Sequence, residues 1–265
     1  MECRINKGAC RASRLPHHDP TIDMRAAALT LVRSHPQGND AIVGQQIQLN
    51  TSRMQCIGAY LAKPQGTPKG GIVVVQEIFG VNGHMRSVAD RFAEHGYTAI
   101  APAFFDHVES GVELGYDRGG YAKGRALAGE ISFDLAIADV ASAAEAIASA
   151  GRIGCVGYCW GGTIAFLAAT RLGLPAVSYY GSRNVNFLDE PAKAPLQFHF
   201  GEKDTSIPPE AIARHRAALP DADIHTYAAG HAFDREIDSA AYEATSAKLA
   251  FERTLAFFDR HLAAG

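Results

Sequence analysis

The strongest signal in the chain is the stretch Gly157-Tyr158-Cys159-Trp160-Gly161-Gly162. The apolar run Ile153-Gly154-Cys155-Val156 before it is typical of a buried strand, and residues 163–169 after it are rich in helix formers. Strand, sharp turn and helix form the context of the G-x-S-x-G nucleophile elbow, with Cys159 in the place of the serine. The glycines allow two backbones to approach closely, and a helix N-terminus favours thiolate. The stretch therefore predicts a cysteine nucleophile.

The composition is that of an ordinary globular protein. A chain of 265 residues with 47% hydrophobic and 20% charged residues can bury a substantial core as one domain. The formal net charge of −3 gives no reason to expect nucleic acid or an anionic membrane as a partner. The start of the chain, residues 1–7, is charged and lacks the apolar segment of a secretory signal. Five cysteines, an odd number, indicate reduced thiols in the cytoplasm.

Two regions are predicted: a poorly ordered N-terminal arm over residues 1–40 and a single domain over residues 41–265. The arm carries Arg, His and Pro without clear periodicity, and we expect one short helix around Met24–Val32. His17 and His18 lie in the arm without the partner spacing of a metal site, so no metal is predicted.

Strand and helix patterns alternate along the domain. Segments Gln46–Leu49 and Met54–Leu61 flank a turn-prone stretch and predict an antiparallel hairpin at a sheet edge. The β-branched run Ile72–Val75 predicts a strand buried on both faces, and apolar residues at helical spacing from Met85 predict a helix. Further strands are predicted at 98–102, 153–156, 176–180 and 196–200, and further helices at 133–147 and 251–262. This alternation predicts an α/β fold with a mostly parallel central sheet and helices on both faces.

An elbow nucleophile needs an acid and a histidine, which follow it along the chain in that order. Asp204 comes just past the predicted strand 196–200, and His231 follows Gly230 on a loop. Both are therefore expected at the carboxyl ends of parallel strands, where ligands bind. The alternative for Asp204 is a residue that only caps a turn. Cys155 and His199 lie inside strands and are predicted to be core residues.

Glu77 is a further candidate because it closely follows the apolar strand 72–75. A carboxylate at the end of such a strand is costly to bury unless it is paired or protonated. The alternative is a capping residue that faces water.

With these motifs in place, the sequence resembles the dienelactone hydrolase family (carboxymethylenebutenolidases) of α/β-hydrolases. The matching stretches are Gln76–Gly80, Gly157–Gly162, Gly201–Asp204 and Gly230–Phe233. The similarity extends from about Gln46 to His261. It implies an α/β-hydrolase fold and a carboxylic-ester hydrolase of the kind that acts in aromatic degradation.

The resemblance also assigns roles to single residues. The catalytic triad would be Cys159, Asp204 and His231. Glu77 would be the family's additional carboxylate, which contacts the resting thiol and takes its proton when substrate binds. The oxyanion hole would come from the backbone N–H groups of Trp160 and Ile78.

Two arginines of the family hold the carboxylate of the substrate. Arg235 matches one of them, with an ordinary surface arginine as the alternative. At the other position this chain has His107, and Arg118 or Arg125 is a candidate to replace the missing arginine.

The implied reaction is hydrolysis of a small-molecule lactone or ester through a thioester, as in the opening of a dienelactone to a maleylacetate, without metal or organic cofactor. A monomer or small homo-oligomer is expected. One alternative is a broader small carboxylester or thioester hydrolase on the same scaffold. The other is a non-enzymatic protein in which the Cys159 thiol responds to oxidation.

Overall fold

The computed structural model describes residues 30–31, 43–52 and 55–262. Within these ranges nine strands form one sheet in the order β1-β2-β3-β5-β4-β6-β7-β8-β9. The strands are β1 (Thr30–Leu31), β2 (Gln45–Asn50), β3 (Cys56–Ala62), β4 (Gly71–Val75), β5 (Thr98–Pro102), β6 (Ile153–Tyr158), β7 (Ala176–Tyr179), β8 (Leu196–Gly201) and β9 (Asp223–Tyr227). Neighbouring strands from β5 across to β9 are parallel, whereas β1, β2 and β3 join antiparallel. The predicted α/β class with a mostly parallel sheet is confirmed.

Six α-helices in the described ranges accompany the sheet. They are α1 (Gly83–Glu94), α2 (Arg118–Glu130), α3 (Phe133–Ala146), α4 (Trp160–Leu167), α5 (Pro209–Ala218) and α6 (Ala244–Leu262). The predicted apolar stripe of α1 is buried, and the Asn82 side chain caps this helix by accepting from the Met85 N–H. None of these helices is long and apolar enough to cross a membrane.

The centre of the sheet is the strand β4, in which residues 72–75 have no exposed surface. Burial of the whole run means that both faces of the sheet are covered, as its β-branched sequence predicts. The β4 strand lies between β5 and β6, which are the next two strands along the chain. The chain therefore reverses direction across the sheet at β4, and this switch point is where ligands bind in open α/β sheets.

On the other side of the sheet, the predicted hairpin is present as β2 and β3, paired in register from Gln45–Leu61 to Asn50–Cys56. It is not the outermost pair, because β1 lies beyond β2. Thr30–Leu31 is thus a strand and not part of the helix predicted around residues 24–32, because these two residues pair with Ile47 and Gln48. The rest of the predicted arm, with His17 and His18, lies outside the described residues.

Besides β1, three α-helices or strands were not predicted, namely α2, α5 and β9. Helix α2 contains Gly119, Gly120 and Gly124, which are poor helix formers, and tertiary contacts outweigh that weak propensity. Its N-terminus is capped by Asp117, whose side chain accepts from the Gly120 N–H at 2.8 Å. Strand β9 is mostly half-buried, so its sequence lacks the strong apolar pattern of the central strands.

Candidate active site

The candidate nucleophile sits in a strained turn between β6 and α4. Cys159 has φ 56° and ψ −115°, a conformation that non-glycine residues rarely adopt and that often marks functional sites. Its N–H donates to the Tyr179 carbonyl on β7 at 3.0 Å, which anchors the turn to the neighbouring strand. The side chain is half-buried, so the thiol is not enclosed in the core. This is the elbow that the sequence predicts.

Two glycines make the elbow sterically possible. A Cβ at Gly157 would lie 1.9 Å from the carbonyl oxygen of Gly161, and a Cβ at Gly161 would lie 2.4 Å from that of Gln76. Both distances are far below van der Waals contact with backbone atoms that cannot move aside. The helix α4 can therefore start directly above β6 and next to the end of β4 only because both positions lack a side chain.

The acid and the histidine follow the last two strands of the sheet. Asp204 comes after β8 and His231 after β9, and the imidazole Nδ1 lies 2.6 Å from Asp204 Oδ2. The other carboxylate oxygen of Asp204 accepts from the Ser206 N–H at 2.8 Å. Asp204 thus caps a turn and also holds the His231 ring, and its role as the catalytic acid stays a prediction. With Nδ1 on Asp204, the histidine presents Nε2 to the thiol.

The imidazole also forms a hydrogen bond with the Cys159 side chain. Burial by itself would lower the pKa of His231. The charge of Cys159 and the hydrogen bonds to Asp204 and Cys159 outweigh that effect and raise the pKa to about 10. A histidine with such a pKa holds its proton at neutral pH, which is the state that pairs with a thiolate.

The resemblance predicts an oxyanion hole built from two backbone N–H groups. Trp160 is the first residue of α4, so its N–H has no partner within the helix. Ile78 lies in the turn after β4, and its N–H donates none of the backbone hydrogen bonds that hold the described turns. The Trp160 ring packs on Phe104 and Phe105, both with centroids at 5.8 Å, which fixes the start of α4. An oxyanion hole formed by these two N–H groups stays a prediction.

Glu77 is completely buried and forms a two-pronged ion pair with Arg235. Arg235 Nε and Nη2 donate to the two carboxylate oxygens of Glu77 at 3.0 and 2.8 Å. Burial opposes the charge of Arg235, but the Glu77 carboxylate more than compensates and raises its pKa. Both oxygens of Glu77 thus bind Arg235, and the contact with the resting thiol that the resemblance implies stays a prediction. Neither residue faces water, so the capping and surface alternatives do not describe them.

His107 forms its side-chain hydrogen bonds with residues outside the predicted triad. Its Nε2 lies 2.7 Å from Asp139 Oδ2 and its Nδ1 lies 2.8 Å from Gln55 Oε1. Its side chain is only 4% exposed. Both ring nitrogens are therefore already engaged, and a role of His107 in substrate binding stays a prediction.

Arg118 and Arg125 lie on α2 with exposed side chains. Neither forms an ion pair with a carboxylate in the described ranges. Arg125 lies over the Tyr121 ring at 5.9 Å. The structure gives no reason to choose one of them as the replacement for the missing arginine.

The residues predicted to be structural are indeed in the core. Cys155 is fully buried, and this burial raises the pKa of its thiol. His199 is buried as well, with Nδ1 at 2.7 Å from the Tyr227 hydroxyl and Nε2 at 3.0 Å from Gln197 Oε1. Among the described residues, no group of three or more His, Cys, Asp or Glu side chains could hold a metal ion.

Several residues around the site were missed by sequence reasoning. Asp238 accepts from Arg235 Nη1 at 3.0 Å, and the spacing of three residues between them was the only available signal. Tyr116 covers the Arg235 guanidinium, and Gly124 packs against Ile78. These contacts join segments that are distant along the chain, so no local pattern announces them.

One large cleft lies away from this site. It has a volume of about 810 Å³ and is lined by the segment 188–196, the turn 218–223 and residues of α6. These segments are at the amino ends of β8 and β9, whereas the triad residues follow the carboxyl ends. The volume of a cleft therefore does not by itself identify the candidate active site in this protein.

The comparisons with known proteins agree with this geometry. A model of the dienelactone hydrolase family matches residues 57–262. A provisionally named carboxymethylenebutenolidase from Azospirillum brasilense is 38% identical over 219 residues, which cover 77% of this chain and 93% of that protein. The carboxymethylenebutenolidase of Pseudomonas putida is 33% identical over 213 residues, with 76% and 89% covered. The structure of a provisionally named dienelactone hydrolase from Klebsiella pneumoniae covers 84% of this chain and 100% of its own, with TM-score 0.74 and 30% identity.

Proposed function

The chain belongs to the dienelactone hydrolase family of ester- and lactone-cleaving enzymes, and we propose that it performs this hydrolysis with Cys159 as a covalent nucleophile. The substrate is a small molecule. The first candidate is a dienelactone, whose ring ester bond would be cleaved. The relatives carry the family assignment, whereas the choice of nucleophile and intermediate rests on the site geometry.

The observation that carries the proposal is the chain of contacts from Asp204 through His231 to Cys159. The carboxylate holds Nδ1 at 2.6 Å, and the opposite side of the ring forms a hydrogen bond with the thiol. Nucleophile, base and orienting acid thus stand in the relation that covalent catalysis requires. A protein that only senses oxidants has no need of the second and third members.

The first half of the reaction transfers the acyl group. The Cys159 thiolate attacks the carbonyl carbon, and the carbonyl oxygen becomes an oxyanion that accepts from the Ile78 and Trp160 N–H groups. Loss of one such donor typically costs about 10²–10³ in kcat. The carbon–oxygen bond then breaks, the departing alcohol or enol oxygen takes the proton of His231, and a thioester remains on Cys159. In a lactone the departing oxygen stays tethered to the acyl group.

The second half is hydrolysis of the thioester. Neutral His231 accepts a proton from a water molecule, whose oxygen attacks the thioester carbonyl. The carbon–sulfur bond breaks, the carboxylic acid leaves, and the thiolate and the imidazolium are restored. Asp204 keeps the imidazole in the required tautomer in both halves. Only protein groups and water take part.

His231 is the group best placed to hold the thiol proton in this scheme. Both carboxylate oxygens of Glu77 accept hydrogen bonds from Arg235. The role of Glu77 as a proton acceptor upon substrate binding therefore remains a prediction, and its observed contact is with Arg235.

A hydrolysis assay tests the proposal. The purified protein is assayed on a dienelactone and on activated aryl esters, beside Cys159→Ala and the matched control Cys155→Ala. We expect turnover by the native protein and by Cys155→Ala, because Cys155 is buried in β6 and outside the site. Cys159→Ala should lose at least about 10³-fold in kcat, the scale of losing a nucleophile. Undiminished turnover by Cys159→Ala would remove the proposal.

A further inference from the structure

The loop that carries His231 has a strained backbone. Ala232, the next residue, has φ 61°, and among the described residues only Cys159 and Tyr180 share such a positive φ without being glycine. Cys159 is the proposed nucleophile, and the Tyr180 ring packs on the His231 imidazole with centroids at 5.0 Å. Backbone strain of this kind persists only where the surrounding contacts hold it in place. The loop therefore needs a firm anchor close to Ala232.

A buried ion pair anchors the loop to helix α1. Asp234, three residues after His231, has no exposed side-chain surface and accepts from Arg91 Nη2 at 2.9 Å. The guanidinium carbon of Arg91 lies 4.7 Å from the ring centroid of Phe251 on α6. Burial opposes the charge of Arg91, but the Asp234 carboxylate more than compensates and raises its pKa. Two helices thus hold the histidine loop through one guanidinium.

The same ion pair lies close to the turn that carries Cys159. Tyr158 immediately precedes Cys159, is fully buried, and stacks on Tyr179 with ring centroids at 4.6 Å. The Tyr179 carbonyl accepts from the Cys159 N–H. Burial raises the pKa of the Tyr158 hydroxyl well above its ordinary value, the Asp234 carboxylate raises it further, and Arg91 lowers it. The ion pair therefore acts on both segments whose side chains must meet.

The pair is poorly suited to stabilising the fold by itself. One hydrogen bond joins the two side chains. Arg91 Nε and Asp234 Oδ1 are buried without a hydrogen bond to any residue that the structure describes. Desolvation of two charges can exceed the attraction within such a pair, and well-packed apolar residues are often at least as stable in its place. Its location beside the two segments of the site points to a different role.

We propose that Arg91 and Asp234 are positioning residues that hold the His231 loop against the turn of Cys159. This proposal rests on the proposed function, because it concerns the contact between the imidazole and the thiol. Both residues act through His231. Without the pair, Ala232 relaxes towards an ordinary backbone conformation, and the imidazole turns away from Cys159.

The variant Asp234→Asn tests this role. Asparagine keeps the size of the side chain and an oxygen that can accept from Arg91, but it loses the charge. We expect kcat for an alkyl ester to fall about tenfold to a hundredfold, the scale of a displaced catalytic group, with little change in KM. The alkaline limb of kcat/KM should also move from about pH 10 towards pH 6.5, because the contacts that raise the pKa of His231 are weakened.

The double variant Arg91→Met/Asp234→Leu separates positioning from stability. It leaves no buried charge without a partner, so the free energy of unfolding should stay close to that of the native protein. Apolar side chains pack without the fixed direction of an ion pair, and we expect the same fall in kcat and the same move of the alkaline limb. A pair that only stabilises the fold would leave both kinetic properties at their native values.

The matched control is Glu190→Gln. Glu190 accepts from Arg171 Nε and Nη2 at 3.1 and 2.7 Å and lines the cleft remote from the triad. This variant also removes the carboxylate charge from an arginine pair. Because the pair is remote, kcat and the alkaline limb should keep their native values.

The position of the alkaline limb decides the outcome. A limb at its native position in folded Asp234→Asn or in the double variant overturns the proposal, even where kcat falls, and so does an equal shift in Glu190→Gln. If Asp234→Asn does not fold, the double variant decides. Absence of ester hydrolysis by the native protein, or undiminished hydrolysis by Cys159→Ala, would instead overturn the proposed function.

Discussion

Gly124 on helix α2 packs directly against the carbonyl of Ile78, so that a Cβ at position 124 would lie 1.9 Å from the Ile78 oxygen. The same turn is held from the other side, because Leu114 N–H donates to the Phe79 carbonyl at 2.9 Å. The position of the proposed oxyanion donor Ile78 thus depends on a helix and a loop that follow it in the chain. This close approach explains why a glycine stands at position 124 of helix α2.

Gly124→Ala should lower kcat for ester hydrolysis about tenfold to a hundredfold. The new methyl group must push the Ile78 carbonyl away. The Ile78 N–H, which is joined to that carbonyl through Cα, should move with it, and an oxyanion donor is worth about 10²–10³ in kcat. KM should change little, because the contact matters most in the transition state. Steady-state kinetics on a neutral aryl ester measure both values.

The matched control is Gly129→Ala on the same helix, where an added Cβ meets no atom within 4 Å. Both substitutions favour the helix by up to about 1 kcal/mol, so a difference between them is not a matter of propensity. Equal kcat values in the two variants would show that Gly124 does not position Ile78.

The hydrogen bond between His231 and Cys159 predicts that a protonated His231 stabilises a thiolate on Cys159. The native protein should show thiolate absorbance near 240 nm at pH 7 that disappears after alkylation of Cys159. His231→Gln should abolish that signal, because the imidazolium that stabilises the thiolate is gone. Cys155→Ala should keep it, because burial raises the pKa of the Cys155 thiol and leaves it protonated.

The same pair predicts the alkaline limb of activity. His231 must be protonated to supply the leaving group during acylation, and its pKa is raised from the ordinary 6.5 to about 10. For an alkyl ester, kcat/KM should therefore persist above pH 6.5 and decline only as the pH approaches about 10. A decline of kcat/KM centred near pH 6.5 would mean that the Cys159 thiolate does not stabilise the protonated form of His231.

A buried ion pair next to the site should contribute more to the free energy of unfolding than an exposed ion pair does. Arg91 Nη2 lies 2.9 Å from Asp234 Oδ2, and the Asp234 side chain has no exposed surface. Asp234→Ala leaves the Arg91 charge without its partner and should lower the free energy of unfolding by about 3–5 kcal/mol. Denaturant unfolding measures this change. Glu252→Ala, which breaks the exposed pair with Lys248, should cost less than about 1 kcal/mol, and an equal loss in both would contradict the account.

Sequence patterns predicted those helices and strands that are determined by residues close together in the sequence. The strand β4 is a continuous apolar run, and helix α1 has apolar residues at helical spacing, so both patterns lie within one short segment of sequence. Helix α2 was not predicted, because its glycines are poor helix formers, and one of them, Gly124, allows a close approach to Ile78. The strand β1 was not predicted either, because two residues carry no pattern and only their pairing with β2 defines them.

In the candidate site, too, some features could be predicted from the sequence, whereas others depend on contacts between distant segments. Order along the chain was enough to place Cys159, Asp204 and His231 at the ends of parallel strands. The pairing of Glu77 with Arg235 joins residues 158 positions apart, and that of His107 with Asp139 joins residues 32 apart. Neither pairing has a local signature in the sequence.

The most direct measurement is the mass of the protein during turnover. The native enzyme is mixed with a p-nitrophenyl ester, quenched in acid within milliseconds and digested, and the masses of the peptides are determined. The account predicts an acyl group on the peptide that contains Cys159, and its absence from Cys159→Ala. An acyl group on another residue, or rapid turnover by Cys159→Ala, would contradict it.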